Sequence, residues 1–284
     1  MYSRAYQRLV SIPPLLWVSA FLLLPYASLF LISFWQVHSQ QIVHQWTLHN
    51  YGQLVSNPVY FEVLGRSARI AASVTILALL LGVPLAYFVS MRAGRLENLL
   101  YQLVIIPLWV SYLVRAYAWK TILGGNGVLN TLFIHVGILH QPAAFLLYSP
   151  FAVILTLTHI YTPFVFLPVY ASMAHIPPAL IEASDDLGAS RSRSFWKVIF
   201  PLSLPGIIAG ATFAFVLSLG DFIAPLLIGG PNGVMISNIV VSLFGAAYDW
   251  PLGSAISLCI LFLVVVLIST TESVEKRLRL GGAR

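Results

Sequence analysis

Six stretches of this sequence, 13–35, 70–91, 99–120, 148–172, 204–228 and 250–271, carry almost no charge. Each is about as long as the ~20 residues a helix needs to cross a ~30 Å hydrocarbon layer. Inside lipid every backbone N–H and C=O must pair within its own segment, so such runs fold as helices. Only 8% of residues are charged and 59% are hydrophobic, whereas soluble domains carry about a quarter charged residues. These features predict an all-α membrane protein: one transmembrane domain over residues 1–284, with six spans. The first run is long for a signal peptide and lacks a small-x-small cleavage site, so it is kept as a span. The only cysteine, Cys259, lies in the last run. One thiol forms no intrachain disulfide, and a buried structural role is expected.

Orientation follows from lysine and arginine in the short loops. Arg4 and Arg8 precede the first span, Arg92 and Arg95 follow the second, and Arg191, Arg193 and Lys197 follow the fourth. Lys276, Arg277, Arg279 and Arg284 end the chain. The other side has Arg66, Arg69 and Lys120, with Arg115 inside the third run. Both termini are therefore expected in the cytoplasm. The net charge of +6 follows from this asymmetry, with no nucleic-acid partner required.

One loop stands apart. Between Glu182 and Lys197 lie six of the chain's twenty-four charged residues. Pro177 and Pro178 suit the first turn of a helix. Beyond them Leu180, Ala183 and Leu187 share one face, with Glu182, Asp185 and Asp186 elsewhere. Gly188 is placed to take φ > 0 and end that helix. Ser190 or Ser192 then caps a second short helix, which Pro201 and Pro205 are expected to close before the fifth span. The coupling loop is thus read as 177–203, lying beside the membrane.

The order Glu182-Ala183-Ser184, three residues, Gly188, nine residues, Val198-x-Phe200-Pro201 resembles the EAA motif of bacterial ABC importer permeases. Ser184, Val198 and Phe200 stand where that pattern has Ala, Ile and Leu. Residues 49–71, 107–130, 220–230 and 249–255 look like the spermidine/putrescine branch of those permeases, so the resemblance covers nearly the whole chain. It implies a cytoplasmic coupling helix between spans 4 and 5, docked on a separate ATPase. Glu182, Ala183, Asp186, Gly188 and Pro201 would be transmission parts. The implied partners are two ABC ATPase subunits, a second similar permease chain and an extracytoplasmic binding protein. The implied setting is the bacterial inner membrane, and the implied solute a small organic cation of the polyamine type.

No chemistry of its own is legible. A G-x-x-x-x-G-K-[ST] phosphate loop is absent from the sequence, so the chain is expected to be a transport subunit with no ATPase site and no cofactor. His38, His44 and His49 fall in one outer loop, but their spacing does not argue a metal site.

Candidate pathway residues come from cost. An ionisable side chain at membrane depth costs roughly 2.5–3.5 kcal/mol, so it faces protein or water. Asp221 is expected inside the fifth span, beside Phe222. Either it lines the pathway as a partner for an ammonium group, or it is a structural partner of Arg115. Trp109, Tyr112 and Tyr161 offer aromatic faces, each worth about 0.5–2 kcal/mol to a cation. Tyr117 and Trp119 read as interface anchors, and His159 as a hydrogen-bonded core residue. Arg115 opposes the passage of cations and keeps an anionic or zwitterionic solute open. A secondary transporter working without an ATPase is the rival class; it would need relay charges in several spans and an inverted repeat, and neither is visible.

Overall fold

The computed structural model describes the backbone of residues 4–39 and 41–281 and the side chains of residues 10–39, 41–271 and 273. Arg4, Arg8, Lys276, Arg277, Arg279 and Arg284, which carry much of the orientation argument, have side chains outside the described residues. The chain divides into two compact units, residues 1–61 with 239–264 and residues 62–238 with 265–284.

The first unit opens with α1 (Arg4–Val18), a π-helical turn (Ser19–Leu23) and α2 (Leu24–Ile32). Together they form a span, Val10–Ile32, in which no residue is buried. A hairpin follows, β1 (Gln36–His38) antiparallel to β2 (Gln41–Val43), an addition to the all-helical expectation. It places His44 on Trp35, ring centroids 4.2 Å apart. Next comes α3 (His49–Ser56). Its buried Asn50 donates to the Ser33 and Trp35 carbonyls at 2.8 and 2.7 Å, satisfying the carbonyls freed where α2 ends.

The second span is α4 (Pro58–Met91), longer than the 70–91 run because charged Glu62, Arg66 and Arg69 extend it past the apolar window. Then come α5 (Glu97–Trp109), α6 (Tyr112–Leu123) and α7 (Val128–His135). The expected third span 99–120 is not one straight helix. Gly94–Trp109 and Tyr112–His135 meet at 94°, because Val110 and Ser111 both adopt extended backbone, ψ 134° and 136°. With five single spans and this bent pair, the structure accords with six crossings.

Helix α8 (Pro150–Ala174) begins at Ser149, whose hydroxyl accepts from the Ala152 N–H at 3.1 Å. After α9 (Pro178–Asp186) and α10 (Arg191–Ser194), a π-helical segment Phe195–Ile199 leads into α11 (Phe200–Gly220). Pro201 and Pro205 therefore do not close a short helix, as the sequence suggests. Proline removes one donor from the ladder, and the wide turn just upstream absorbs that loss. Residues 191–220 run on as one helix. The fifth span also stops at Gly220, short of the expected 228. Beyond it lie a π-helical turn Pro225–Gly229, α12 (Ile236–Phe244) and α13 (Trp250–Gly281).

The second unit's core is α8 against α11. Gly206, Gly210, Ala214 and Ser218 recur every four residues along one face of α11, the small-residue spacing that lets membrane helices approach. A Cβ on Gly206 would strike the Pro168 carbonyl and lie 2.6 Å from the Ser172 Cβ. Half-buried Cys259 is a free thiol, less enclosed than expected.

Candidate functional site

Two clusters in the second unit gather the candidate residues. In the loop after α8, Pro178 at the first position of α9 costs no hydrogen bond. The helix ends in a turn where Leu187 donates to the Ala183 carbonyl (3.2 Å), Gly188 to Asp185 (2.9 Å) and Ala189 to Ser184 (3.1 Å). Gly188 sits at φ +72°, in the left-handed region that a Cβ disfavours. Of the two candidate caps it is Ser190 that accepts from the next helix, from the Arg193 N–H at 3.4 Å.

This element packs through Ile181, Phe195 and Ile199 onto the α8 core around Met173 and Ile176. Phe195 also meets Tyr87 edge-on at 5.0 Å. Its inner polar contact is between Ser184 and Ser194, both buried, with hydroxyls 2.6 Å apart. The apolar face read from the sequence has the right residues but is turned outward. Leu180, Ala183 and Leu187 are exposed, Leu187 to 87%, in the company of exposed Glu182, Asp185 and Asp186.

The second cluster forms where two helices break. Asp221 is not within a continuous span but immediately past the end of α11, 7% exposed. Its Oδ1 accepts from the Ala224 N–H at 3.0 Å, capping the turn that follows. The Tyr112 and Tyr161 hydroxyls both donate to Oδ2, Tyr161 at 2.7 Å. The backbone freed by the break is bonded too. The Ser237 hydroxyl donates to the Asp221 carbonyl, and Asn238 Nδ2 to the Phe222 carbonyl at 2.8 Å. One carboxylate thus joins the start of α6, the middle of α8 and the end of α11. Its lone pairs are met by protein donors, so the geometry is that of a buried hub.

Arg115 is not the partner of Asp221: no ion pair joins them among the described residues. Its guanidinium lies 5.8 Å from the centre of the Tyr112 ring, and its Nε and Nη1 are buried without a hydrogen-bond partner. Trp119 donates Nε1–H to His159 Nδ1 at 3.1 Å, so His159 is hydrogen-bonded as expected, although it is exposed. Tyr117 is exposed. Trp109, at the corner between α5 and α6, is 84% exposed, and Phe222 is also exposed. The described residues hold no cluster of His, Cys, Asp or Glu fit for a metal ion.

Sequence reasoning missed the hydroxyl pair and the role of Ser237 and Asn238. The hub did leave a trace, since Asp221 directly before an apolar run, with Pro225 close behind it, is a helix-start pattern.

The family model described as "Binding-protein-dependent transport system inner membrane component" matches residues 78–280. The chain is 36% identical over 253 residues to the spermidine/putrescine transport system permease protein PotB of Haemophilus influenzae, covering 89% of this chain and 88% of that protein. To PotB of Escherichia coli K12 it is 35% identical over 243 residues, 85% and 88% of the two chains. Its fold is similar to a chain of a bacterial alginate ABC transporter in complex with its alginate-bound periplasmic protein, at TM-score 0.75 and 17% identity, over 96% and 94% of the two chains.

Proposed function

The chain belongs to the family of binding-protein-dependent transport system inner membrane components, and from that premise we propose that it is the permease subunit of an ABC importer for a polyamine. It works with two ATPase subunits, a second permease chain and an extracytoplasmic binding protein, and has no ATPase site of its own. The termini and the 178–200 element face the cytoplasm.

The observation that carries this reading is α9. A short helix ends in a glycine turn inside the EAA spacing, with Leu180, Ala183 and Leu187 uncovered on its outer face. An apolar stripe flanked by carboxylates on a loop suits a groove on a soluble partner. Glu182 and Asp186 add charge pairing there, Ala183 gives close approach, and behind it Gly188 ends α9 and Pro201 lies in the first turn of α11. The unburied first span suits packing against another permease.

For the solute, the PotB relatives favour putrescine or spermidine. Trp109 and Phe222 are the exposed aromatic faces for an alkylammonium group. Tyr112, Tyr161 and Asp221 hold the two helix breaks and supply negative potential. A second reading, import of an anionic or zwitterionic solute, is favoured by Arg115, whose buried nitrogens lack partners.

Gentle purification from the native membrane with mass spectrometry tests the assembly, and proteoliposome uptake tests the solute. Co-purified ATPase with ATP-driven spermidine uptake is expected. Uptake only of a carboxylate-bearing solute establishes the second reading, and transport by the chain alone without ATP overturns both.

A further inference from the structure

Ser184 is where this chain departs from the alanine of the motif, and the structure gives that departure a partner. Its hydroxyl lies 2.6 Å from that of Ser194, which is on the far side of the Gly188 turn. The side chains are 8% and 4% exposed, so neither has solvent as an alternative partner. Around them the turn itself is thin. Between Asp186 and Arg191 the chain is held by four backbone bonds, one of them from the Ser194 N–H to the Ser190 carbonyl at 2.9 Å, and the long Ser190 side-chain contact, and Gly188 adds no side chain. The Ile181 and Phe195 packing gives proximity without a fixed angle, since apolar contact is non-directional. A hydrogen bond is directional.

We propose that Ser184 and Ser194 form a clasp that fixes the angle between α9 and the long helix 191–220, so that force applied to α9 turns the fifth span instead of flexing the glycine turn. They are positioning residues, acting through the helices they join. The transport half of this inference rests on the coupling role proposed above, whereas the geometric half does not.

Two measurements test it, both in a Cys259→Ser background. In the first, spin labels at Leu180→Cys and Phe213→Cys report the distance between α9 and α11 in the purified chain. A single narrow distribution is expected, broadened by Ser194→Ala; a distribution left as narrow as before overturns the clasp, whatever the solute. In the second, radiolabelled spermidine uptake per ATP hydrolysed is read in proteoliposomes of the assembled complex. Losing a neutral hydrogen bond of this kind corresponds to about fivefold, so Ser184→Ala and Ser194→Ala are expected to lower that ratio about fivefold.

The double alanine variant separates the clasp from simple burial. It leaves no orphaned hydroxyl, so thermal stability returns, but the uptake ratio stays low. A ratio restored in the double variant overturns the proposal. Ser184→Cys/Ser194→Cys, oxidised, is expected to couple as wild type and to lose coupling on reduction; an oxidised form that couples worse shows that the arms must part, and also overturns it. If the wild-type complex moves no spermidine, the solute assignment fails and the distance measurement alone decides the clasp.

Discussion

At Asp221 a carboxylate is inside and bonded, while along α9 the apolar stripe is outside and uncovered. Both regions invert the usual pattern of their surroundings, and they do so to opposite ends. A carboxylate at the junction of three helices in the membrane region is tolerated because two tyrosines and a backbone N–H meet it. An exposed leucine stripe on a polar loop has no such explanation within the chain. The first is a place where the chain completes itself; the second is where it is left incomplete.

The largest effect is expected at the hub. Asp221→Ala strands two tyrosine hydroxyls and one cap, about 2–5 kcal/mol, and should remove most folded protein by detergent size-exclusion chromatography. Asp221→Asn keeps an acceptor and should cost about 1 kcal/mol, with much of the uptake retained. A fully folded Asp221→Ala that merely fails to bind cations would break the comparison and return Asp221 to the pathway.

Next comes Gly188→Asp, which forces a side chain into φ +72° and adds a further acid beside Asp185 and Asp186. Membrane levels should be near normal and uptake abolished, as also for Glu182→Lys; wild-type uptake by either would remove the coupling assignment. Leu187→Ser sharpens the contrast further. The side chain touches little in its own chain, so stability should move by less than about 0.5 kcal/mol. Burial of a leucine in a partner is worth about 2 kcal/mol, so ATPase binding in a pull-down titration should weaken about thirtyfold. The smallest effect belongs to Trp109→Ala. With 84% of its surface free it should leave thermal stability alone and raise the KM for spermidine up to about tenfold, with Vmax unchanged.

The same contrast governs how much could be read from the sequence. Run length pointed to six crossings, because lipid enforces helices, but not to the ends of the second and fifth or the bend in the third. Gly188 announced its positive φ, and the right apolar residues of α9 were identifiable from spacing. Spacing says which residues share a face, but not which way the face points; that is set by Ile181 and Phe195 packing on the α8 core. The corner at Val110–Ser111 was hidden for a similar reason. Pro107 precedes it, yet Pro84, Pro163 and Pro168 sit inside helices that continue, so a proline was no guide. The break at Asp221 carried a cap signal that hydropathy averaged away. Ser184 and Ser194, ten positions apart across a turn, have no local signature at all.

The wide turn at Phe195–Ile199 has a consequence of scale. By taking up Pro201 without ending the helix, it leaves residues 191–220 as one body, about 45 Å long at 1.5 Å per residue. A tilt of about 5° at one end of such a body displaces the other by roughly 4 Å, close to the diameter of a methylene chain. On the coupling proposed above, a small stroke at the membrane surface would be magnified at the Asp221 end to the width of a narrow solute, with amplification set by helix length alone.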